Sequence, residues 1–465
     1  PQATLEELAL AGNLVRGIGS DNIDFRLRQS DFSLDGKRQG TPWLGMKITE
    51  INQLDRVLVV GSFLRKDQPL IAQRLRQASK RGTQVSVIHS SDEDLLLKTA
   101  GKLIVSPSQL PQALAEVVKA VAELKGIEGK ALLSGLSTVV PGDAAKEIAV
   151  SLVAGQNIAV LLGNFAQQHP QAAALQVLAT QLATLLGGKA GFLGEAANSV
   201  GGYVAKALPA GSGLNAARML TEPLHAYLLL HVEPELDCAD GSKALTALNQ
   251  AKTVIVLSPF KSTAALKYAD VLLPIAPFSE TSGSFINTEG RVQSFYAVNK
   301  PQGEARPAWK VLRVLGNLLN LNGFEYESSE DVRNEIFDGA TPEFVSCLNN
   351  NCTGDNTTLS VMIEAGIERV ADVPVYFADA LVRRAPSLQK TKDAAAPAAR
   401  MNAAMLTKIG ATVGNSLRIR QGAGEAILAA QLDAGVPNGC VRIAAAHQAT
   451  AGLGAMHGVI IVEVL

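Results

Sequence analysis

Apolar and polar positions along this chain follow two periods. Leu5, Leu8, Leu14 and Val15 share one face of an opening helix that Gly17 and Gly19 terminate. The unbroken run Val57-Leu58-Val59-Val60 enters a turn at Gly61 and reads as a buried strand. The spacing predicts a helix over 69–81, ended by Gly82, and a second strand over 85–88. This is a βαβ unit, and strands without polar alternation point to a parallel sheet covered on both faces. The pattern recurs: strand 158–162 closed by Gly163, helix 171–186 stopped by Gly187 and Gly188, strand 226–230, helix 242–250, strand 253–257, and a short strand 271–273 ended by Pro274. An amphipathic helix follows over 306–321, with Pro307 in its first turn. Strands alternating with helices predict doubly wound α/β architecture. After a Pro- and Ala-rich stretch at 385–401, expected as a linker or surface loop, the texture changes. Short strand-like runs at 416–420, 425–431, 440–444 and 458–464, separated by Gly and Pro, predict a small all-β barrel.

A chain of 465 residues has material for about three domains. Its net charge of −1 gives no bulk attraction to nucleic acid or to an anionic membrane, so neither partner is expected. Arg74, Arg76, Lys80 and Arg81 recur at helical spacing and read as a solvated helix face. No apolar run reaches the 18 or so residues a membrane span needs, which predicts no direct membrane insertion. The chain opens at Pro1 with an acidic helix and not with a signal peptide, and a start without Met leads to the expectation of a processed or truncated chain. Cys238, Cys347, Cys352 and Cys440 are scattered, as in a reducing compartment. Cys347 and Cys352 form C-x4-C, which looks like half of an iron–sulfur ligand set, but the other two cysteines are far away in sequence and no cluster is expected.

Two loops could carry chemistry. Gly61-Ser62-Phe63-Leu64-Arg65-Lys66-Asp67-Gln68-Pro69 runs from strand to helix, where backbone N–H groups and two cations could hold a phosphate; it lacks G-x-G-x-x-G, and a plain βα turn is the expected reading. The stretch 269–306, ADVLLPIAPFSETSGSFINTEGRVQSFYAVNKPQGEAR, places a polar loop after a strand end, where open α/β sheets bind ligands. Within it Gly283 and Gly290 are expected to supply unusual backbone conformations. Glu280, Asn287, Glu289 and Arg291 are expected to pair among themselves or with the loop backbone. His225 and His231, six apart about a strand, are expected on one face, a pair without a third metal ligand. For His169, His447 and His457, beside Pro, Ala or Gly, hydrogen bonding to backbone is the expectation.

The run ADVLLPIAPFSETSGSFINTEGRVQ with GEARPAWKVLRVLGNLL resembles the molybdopterin oxidoreductase superfamily. Asn22-Ile23-Asp24, the Gly61 loop and the strand at Ile158 fit the same order. Within it the chain is similar to the large iron–sulfur subunit family of bacterial NADH:quinone oxidoreductase (complex I). The matching strings are DFRLRQSDF at 24–32, GNFAQQHP at 163–170, ETSGSFINTEGR at 280–291, and Leu381-Val382-Arg383-Arg384-Ala385 with Leu388-Gln389.

That resemblance implies two interleaved Rossmann-like doubly wound lobes plus a C-terminal all-β barrel of double-psi type. The expected division is 20–205 as an inserted lobe, 1–19 and 206–375 as the second lobe with a cleft loop at 275–300, and 376–465 as the barrel domain with a linker near 385–401. It implies no cofactor and no metal in this chain, iron–sulfur clusters lying only in a Cys-rich N-terminal region outside it. It implies no catalytic residues and no activity alone, but a scaffold supporting electron transfer from NADH to quinone. The partners would be other peripheral-arm subunits, at the cytoplasmic face of the bacterial inner membrane. Ser30, Gly61, Glu280, Gly283, Asn287 and Arg291 are the candidates for a vestigial cleft. The alternative is a molybdenum- or tungsten-pterin oxidoreductase. Setting Asn22-Ile23-Asp24 on the catalytic pattern puts Arg28 at its Arg and Ser30 at the metal ligand, a type suited to a hard high-valent metal. Asp31 stands where those relatives have His, and with Arg26 and Arg28 adjacent an internal ion pair is the expected use. A free-standing small-ligand binding protein is a third class.

Overall fold

The computed structural model describes residues 2–127, 135–222, 224–337, 344–353 and 365–465. The expected second lobe, 206–375, includes 338–343 and 354–364, which lie outside the described residues. Two units emerge, each assembled from three stretches of chain: 1–29, 196–348 and 376–394 form one, and 30–195, 349–375 and 395–465 the other.

The second unit is built on a five-stranded parallel sheet, β1 (Arg56–Val60), β2 (Gln84–His89), β3 (Thr99–Ile104), β4 (Ile158–Leu162) and β5 (Lys189–Phe192), in the order β3-β2-β1-β4-β5. In register Val57 faces Val85 on one side and Ala159 on the other. Alternate residues of these apolar strands go to opposite faces. Leu58, Val60, Ile88, Val160 and Leu162 meet Leu114, Val118, Val121, Ile148, Leu178 and Leu182 from helices Leu110–Leu124, Asp143–Val153 and Ala172–Leu186. Val57, Val59, Val85, Val87 and Leu161 meet Ile51 and, from helix Pro69–Ser79, Ile71 and Leu75. Each such aliphatic side chain contributes about 1.5–3 kcal/mol when buried, so two dry faces fix the sheet.

The same unit carries a closed six-stranded barrel, in the order β11-β15-β12-β14-β13-β16. Its strands are β11 (Ile367–Val370), β12 (Ala399–Met401), β13 (Ser416–Gln421), β14 (Gly424–Leu432), β15 (Cys440–Arg442) and β16 (Val459–Val464). Closure removes exposed strand edges, and Met401, Leu417, Ile419, Leu428, Val441 and Ile460 fill the core. The stretch expected as a linker carries two short 3-10 turns, Leu388–Lys390 and Lys392–Ala394, and then β12, whose Ala399 and Met401 are fully buried.

In the first unit β6 (Ala226–Leu230), β7 (Thr253–Ser258) and β8 (Val271–Pro274) make a three-stranded parallel sheet, and β9 (Gly283–Ile286) pairs antiparallel with β10 (Val292–Phe295). Helix Leu5–Gly17 starts in a capping box, Thr4 with Glu7, and buries Leu10 and Leu14 against Trp309, Leu312 and Phe324. Pro307 caps helix Ala308–Leu318, a shorter element than the expected 306–321.

Candidate functional site

In the five-stranded sheet the strand order reverses between β1 and β4, the switch point where such folds bind ligands beyond the carboxyl ends of the strands. Gly61 follows β1 with φ +59°, and a Cβ there would stand 2.7 Å from the backbone nitrogen of Ala166. A Cβ on Gly163, which follows β4, would stand 2.2 Å from that of Ser62. The two loops are also hydrogen-bonded: Ala166 N–H donates to the Gly61 carbonyl (3.1 Å) and Gly163 N–H to that of Val60 (2.9 Å). The two loops thus pack backbone against backbone across the switch point. The Arg65 guanidinium, one of the two expected phosphate cations, donates to the Asp94 carbonyl at 2.6 Å.

Above this closure the loops deliver aromatic rings. Phe63 and Phe165 meet edge to face at 6.0 Å, and the His89 imidazole, at the end of β2, lies 4.5 Å from Phe63 and 5.3 Å from Phe165. His457 lies 5.1 Å from Phe165 and 5.4 Å from His169. His169 is held as expected: Nε2 donates to the Pro107 carbonyl (2.9 Å), and Nδ1 accepts from Gln171 N–H (2.9 Å). His447 Nδ1 accepts from Ala449 N–H at 3.0 Å. His457 departs from the expectation, since neither of its ring nitrogens, nor those of His89, meets a partner among the described residues. Both sit among apolar rings instead of loop backbone. Burial pushes the His89 imidazole down to about 3, that of His169 to about 4, and that of His457 well below its ordinary range.

Charge at this end of the sheet is internally matched. Arg442, from β15, pairs with Glu93 (2.5 Å) and Asp372 (3.0 Å), and its guanidinium lies 4.5 Å from the Phe63 ring. Burial alone would raise the Asp372 carboxyl, but the Arg442 guanidinium outweighs it and holds it below the usual range. For Asp67 the balance reverses. Burial, then the Asp372, Glu195 and Glu93 carboxylates, push it up to about 8 against the smaller pull of Arg442. Fully buried Arg369 donates to the Ala455 carbonyl (2.8 Å), and Glu368 accepts from the Ser108 backbone (2.8 Å) and hydroxyl (2.7 Å). Ser30 is exposed in the same unit. Its neighbour Asp31 accepts from Ala173 N–H (2.8 Å) and from the Ser33 hydroxyl (2.6 Å).

The remaining candidates lie in the first unit. Gly283 has no left-handed backbone; its need is space, because a Cβ would stand 2.5 Å from the Thr4 Cγ2. Gly290 does adopt φ +84°. Ser284 N–H donates to Glu6 (2.8 Å), and Ile286 N–H to the Asn198 Oδ1 (2.9 Å). Asn287 Oδ1 accepts from the backbone of Glu289 (3.1 Å) and Arg291 (2.9 Å), Arg291 pairs with Glu289 at 3.4 Å, and Glu280 accepts from Gln302 N–H. Burial raises the Glu6 carboxyl. His231 and His225 do not share a face: His231 leaves the strand with φ +55° and bonds Glu7 in the interior (3.1 Å), while His225 is exposed. Arg26 pairs with Asp24 at 2.8 Å, and Arg28 with Asp237 at 3.1 Å. Arg383 bridges Asp237 (2.5 Å) and Glu233 (2.9 Å), and Arg384 also pairs with Glu233. Sequence reasoning missed the Arg28–Asp237–Arg383 network and the His89–Arg442 cluster, whose members come from separate stretches of the chain.

Among the described residues, no group of three or more His, Cys, Asp or Glu is arranged to hold a metal ion, and no helix is long and apolar enough to cross a membrane. None of the four cysteines is paired in a disulfide among the described residues; burial pushes the Cys440 thiol up to about 12.

Residues 1–318 match the family described as Molybdopterin oxidoreductase. The G-type subunit of NADH-quinone oxidoreductase from Mycobacterium tuberculosis is 30% identical over 295 residues, covering 60% of this chain and 35% of the relative. The alpha subunit of NADPH-Fe(3+) oxidoreductase from Geobacter sulfurreducens is 26% identical over 377 residues, covering 69% of this chain and 44% of the relative. The chain therefore spans less than half the length of these relatives. Acetylene hydratase from Pelobacter acetylenicus shares the fold, with TM-score 0.64 and 14% identity over 98% of this chain and 81% of that one.

Proposed function

From the premise that this chain belongs to the molybdopterin oxidoreductase family, we propose that it is a cofactor-free scaffold in the peripheral arm of a complex I-type NADH:quinone oxidoreductase. In this reading it binds neighbouring arm subunits at the cytoplasmic face of the membrane and carries no catalytic residue. Ser30, Gly61, Glu280, Gly283, Asn287 and Arg291 serve packing and loop architecture. The observation that carries the reading is the closed switch point, where the Gly61 and Gly163 loops meet backbone to backbone beneath Phe63 and Phe165. Kinship to the mycobacterial NADH-quinone oxidoreductase chain directs the choice of assembly.

The family implies a molybdenum–pterin group, and the donor set does not fit one. Ser30 is exposed and flanked by the Asp31 carboxylate, which adds negative charge where an anionic oxo-metal centre would sit, and Arg65, one of the two cations expected for a phosphate, donates to the Asp94 carbonyl. The test is one preparation with two readouts: Mo, W and pterin content of the purified chain, and NADH oxidation per assembled complex in membranes carrying Phe63→Ala with Phe165→Ala. We expect neither metal nor pterin, fewer assembled complexes and unchanged turnover in each. About one Mo or W per chain, or normal assembly with lost turnover, would overturn the proposal.

A further inference from the structure

Strand β10 has one partner. In β9 the N–H groups of Ser284 and Ile286 turn away from β10, to Glu6 and Asn198, so Gly283 and Phe285 are the residues bonded across the hairpin, to Phe295 and Gln293. The 287–291 bond closing the hairpin keeps the same alternation. The N–H and C=O groups of Val292 and Ser294 therefore point outward, and they meet no partner among the described residues. Natural edge strands are blunted by shortness, charge, proline or a bulge. This one is short, Val292–Phe295, but 292–298 reads Val-Gln-Ser-Phe-Tyr-Ala-Val, without charge, Pro or Gly. Such a segment on an open edge is an aggregation hazard unless something covers it.

Around the edge the surface is apolar and aromatic. Phe278 is 47% exposed, Tyr296 73% and Val298 89%. Val298 N–H bonds the Ser279 carbonyl (2.9 Å), which ties Val298 to the turn that holds Phe278, and Phe285 and Phe295 pack together at 5.1 Å. The chain has 21 aromatic residues, and four of them fall within 278–296. Exposed aromatics concentrated in this way mark the centres of protein interfaces. Arg291, before the strand, is matched by Glu289 at 3.4 Å, but two cations at this edge pair with no carboxylate among the described residues: Lys300 after the strand, and Arg333, whose guanidinium lies 2.6 Å from the Ser294 hydroxyl.

We propose that β10 and the apolar surface of Phe278, Tyr296 and Val298 dock an extended segment of a partner protein, apolar along its length and acidic at the end that meets Arg333 and Lys300, as an added strand. The outward backbone groups select an extended occupant, and the two unmatched cations select a carboxylate. The proposal stands apart from the scaffold reading, since it concerns only this edge.

The test uses the full chain and a displayed library of random peptides about nine residues long, counter-selected on the variant Tyr296→Asp with Val298→Asp. Both side chains are solvent-facing, and Val298→Asp alone serves if the double variant folds poorly. Enriched peptides should alternate aromatic or β-branched residues and carry Asp or Glu at one end, bind the variant at least about tenfold more weakly, and slow hydrogen exchange at the Val292 and Ser294 amides. No enrichment over the variant, basic or helical consensus sequences, or a homodimer that the variant dissociates would each overturn it.

Discussion

Replacing His89 by phenylalanine should stabilise the protein at neutral pH and remove part of its sensitivity to acid. The imidazole is fully buried among Phe63 and Phe165, and neither nitrogen has a partner among the described residues. A neutral imidazole carries one donor and one acceptor, and each unsatisfied buried group costs about 1–3 kcal/mol. The extra volume of phenylalanine costs about 1–3 kcal/mol in overpacking, which leaves a net gain of about 1–3 kcal/mol at pH 7.5. The acid effect is separate. In the folded chain His89 stays neutral down to about pH 3, whereas unfolded it takes up a proton near 6.5. Between those values the unfolded state binds more protons, so this term of stability is full above 6.5 and is lost as pH falls. At pH 5.0, one and a half units below the unfolded value, the loss is about 2 kcal/mol. Guanidinium unfolding of parent and His89→Phe at pH 7.5 and 5.0 isolates it as a cycle of substitution against pH. The gap between the two pH values should shrink by about 2 kcal/mol in the variant. An unchanged gap, with the variant less stable than the parent at pH 7.5, would refute the reasoning.

Asp67→Asn should flatten a trend of opposite sign. Its carboxyl holds a proton up to about pH 8 when folded but ionises near 3.8 when unfolded, so the parent loses stability as pH rises through that window and the variant loses less, as melting temperatures at pH 6 and 8.5 will report. Gly283→Val forces a side chain against Thr4 and should cost about 1–3 kcal/mol, lowering the amount of assembled complex on native gels while turnover per complex is kept. Ser30→Ala should leave stability within about 0.5 kcal/mol and NADH oxidation unchanged; lost turnover with assembly intact would restore Ser30 as a metal ligand.

The elements legible in the sequence were those whose signal is local. Strands β1, β4, β6 and β7 are contiguous apolar runs, and a parallel sheet is where such runs belong. Strands β3 and β5 escaped notice because edge strands tolerate Lys and Gly, as Lys102 and Lys189 illustrate. β12 is three residues of an Ala-rich stretch whose burial depends on a barrel closed by strands before and after it. The motif at 280–291 was visible, yet the need for glycine at 283 comes from Thr4, near the start of the chain. Gly61 was legible as a βα turn, but not its close approach to Ala166, about a hundred residues later in the chain. Arg442 with Glu93 and Asp372 left no trace in spacing, because such pairs form only once the fold exists.

The division of each unit into three separated stretches has a consequence for synthesis. Helix Leu5–Gly17 finds its cover in Trp309 and Leu312, about 300 residues later. At about 5–20 residues per second a ribosome needs on the order of 15–60 s to deliver them. Through that interval Leu10 and Leu14 are an uncovered apolar stripe on a nascent chain, a target for chaperones and an unsuitable folding nucleus. The second unit waits longer, because β16 closes its barrel with residues 459–464. Neither unit can fold to completion as it emerges, and truncating the chain anywhere between β10 and β16 leaves the barrel open and the hazard of an unfinished edge in its place.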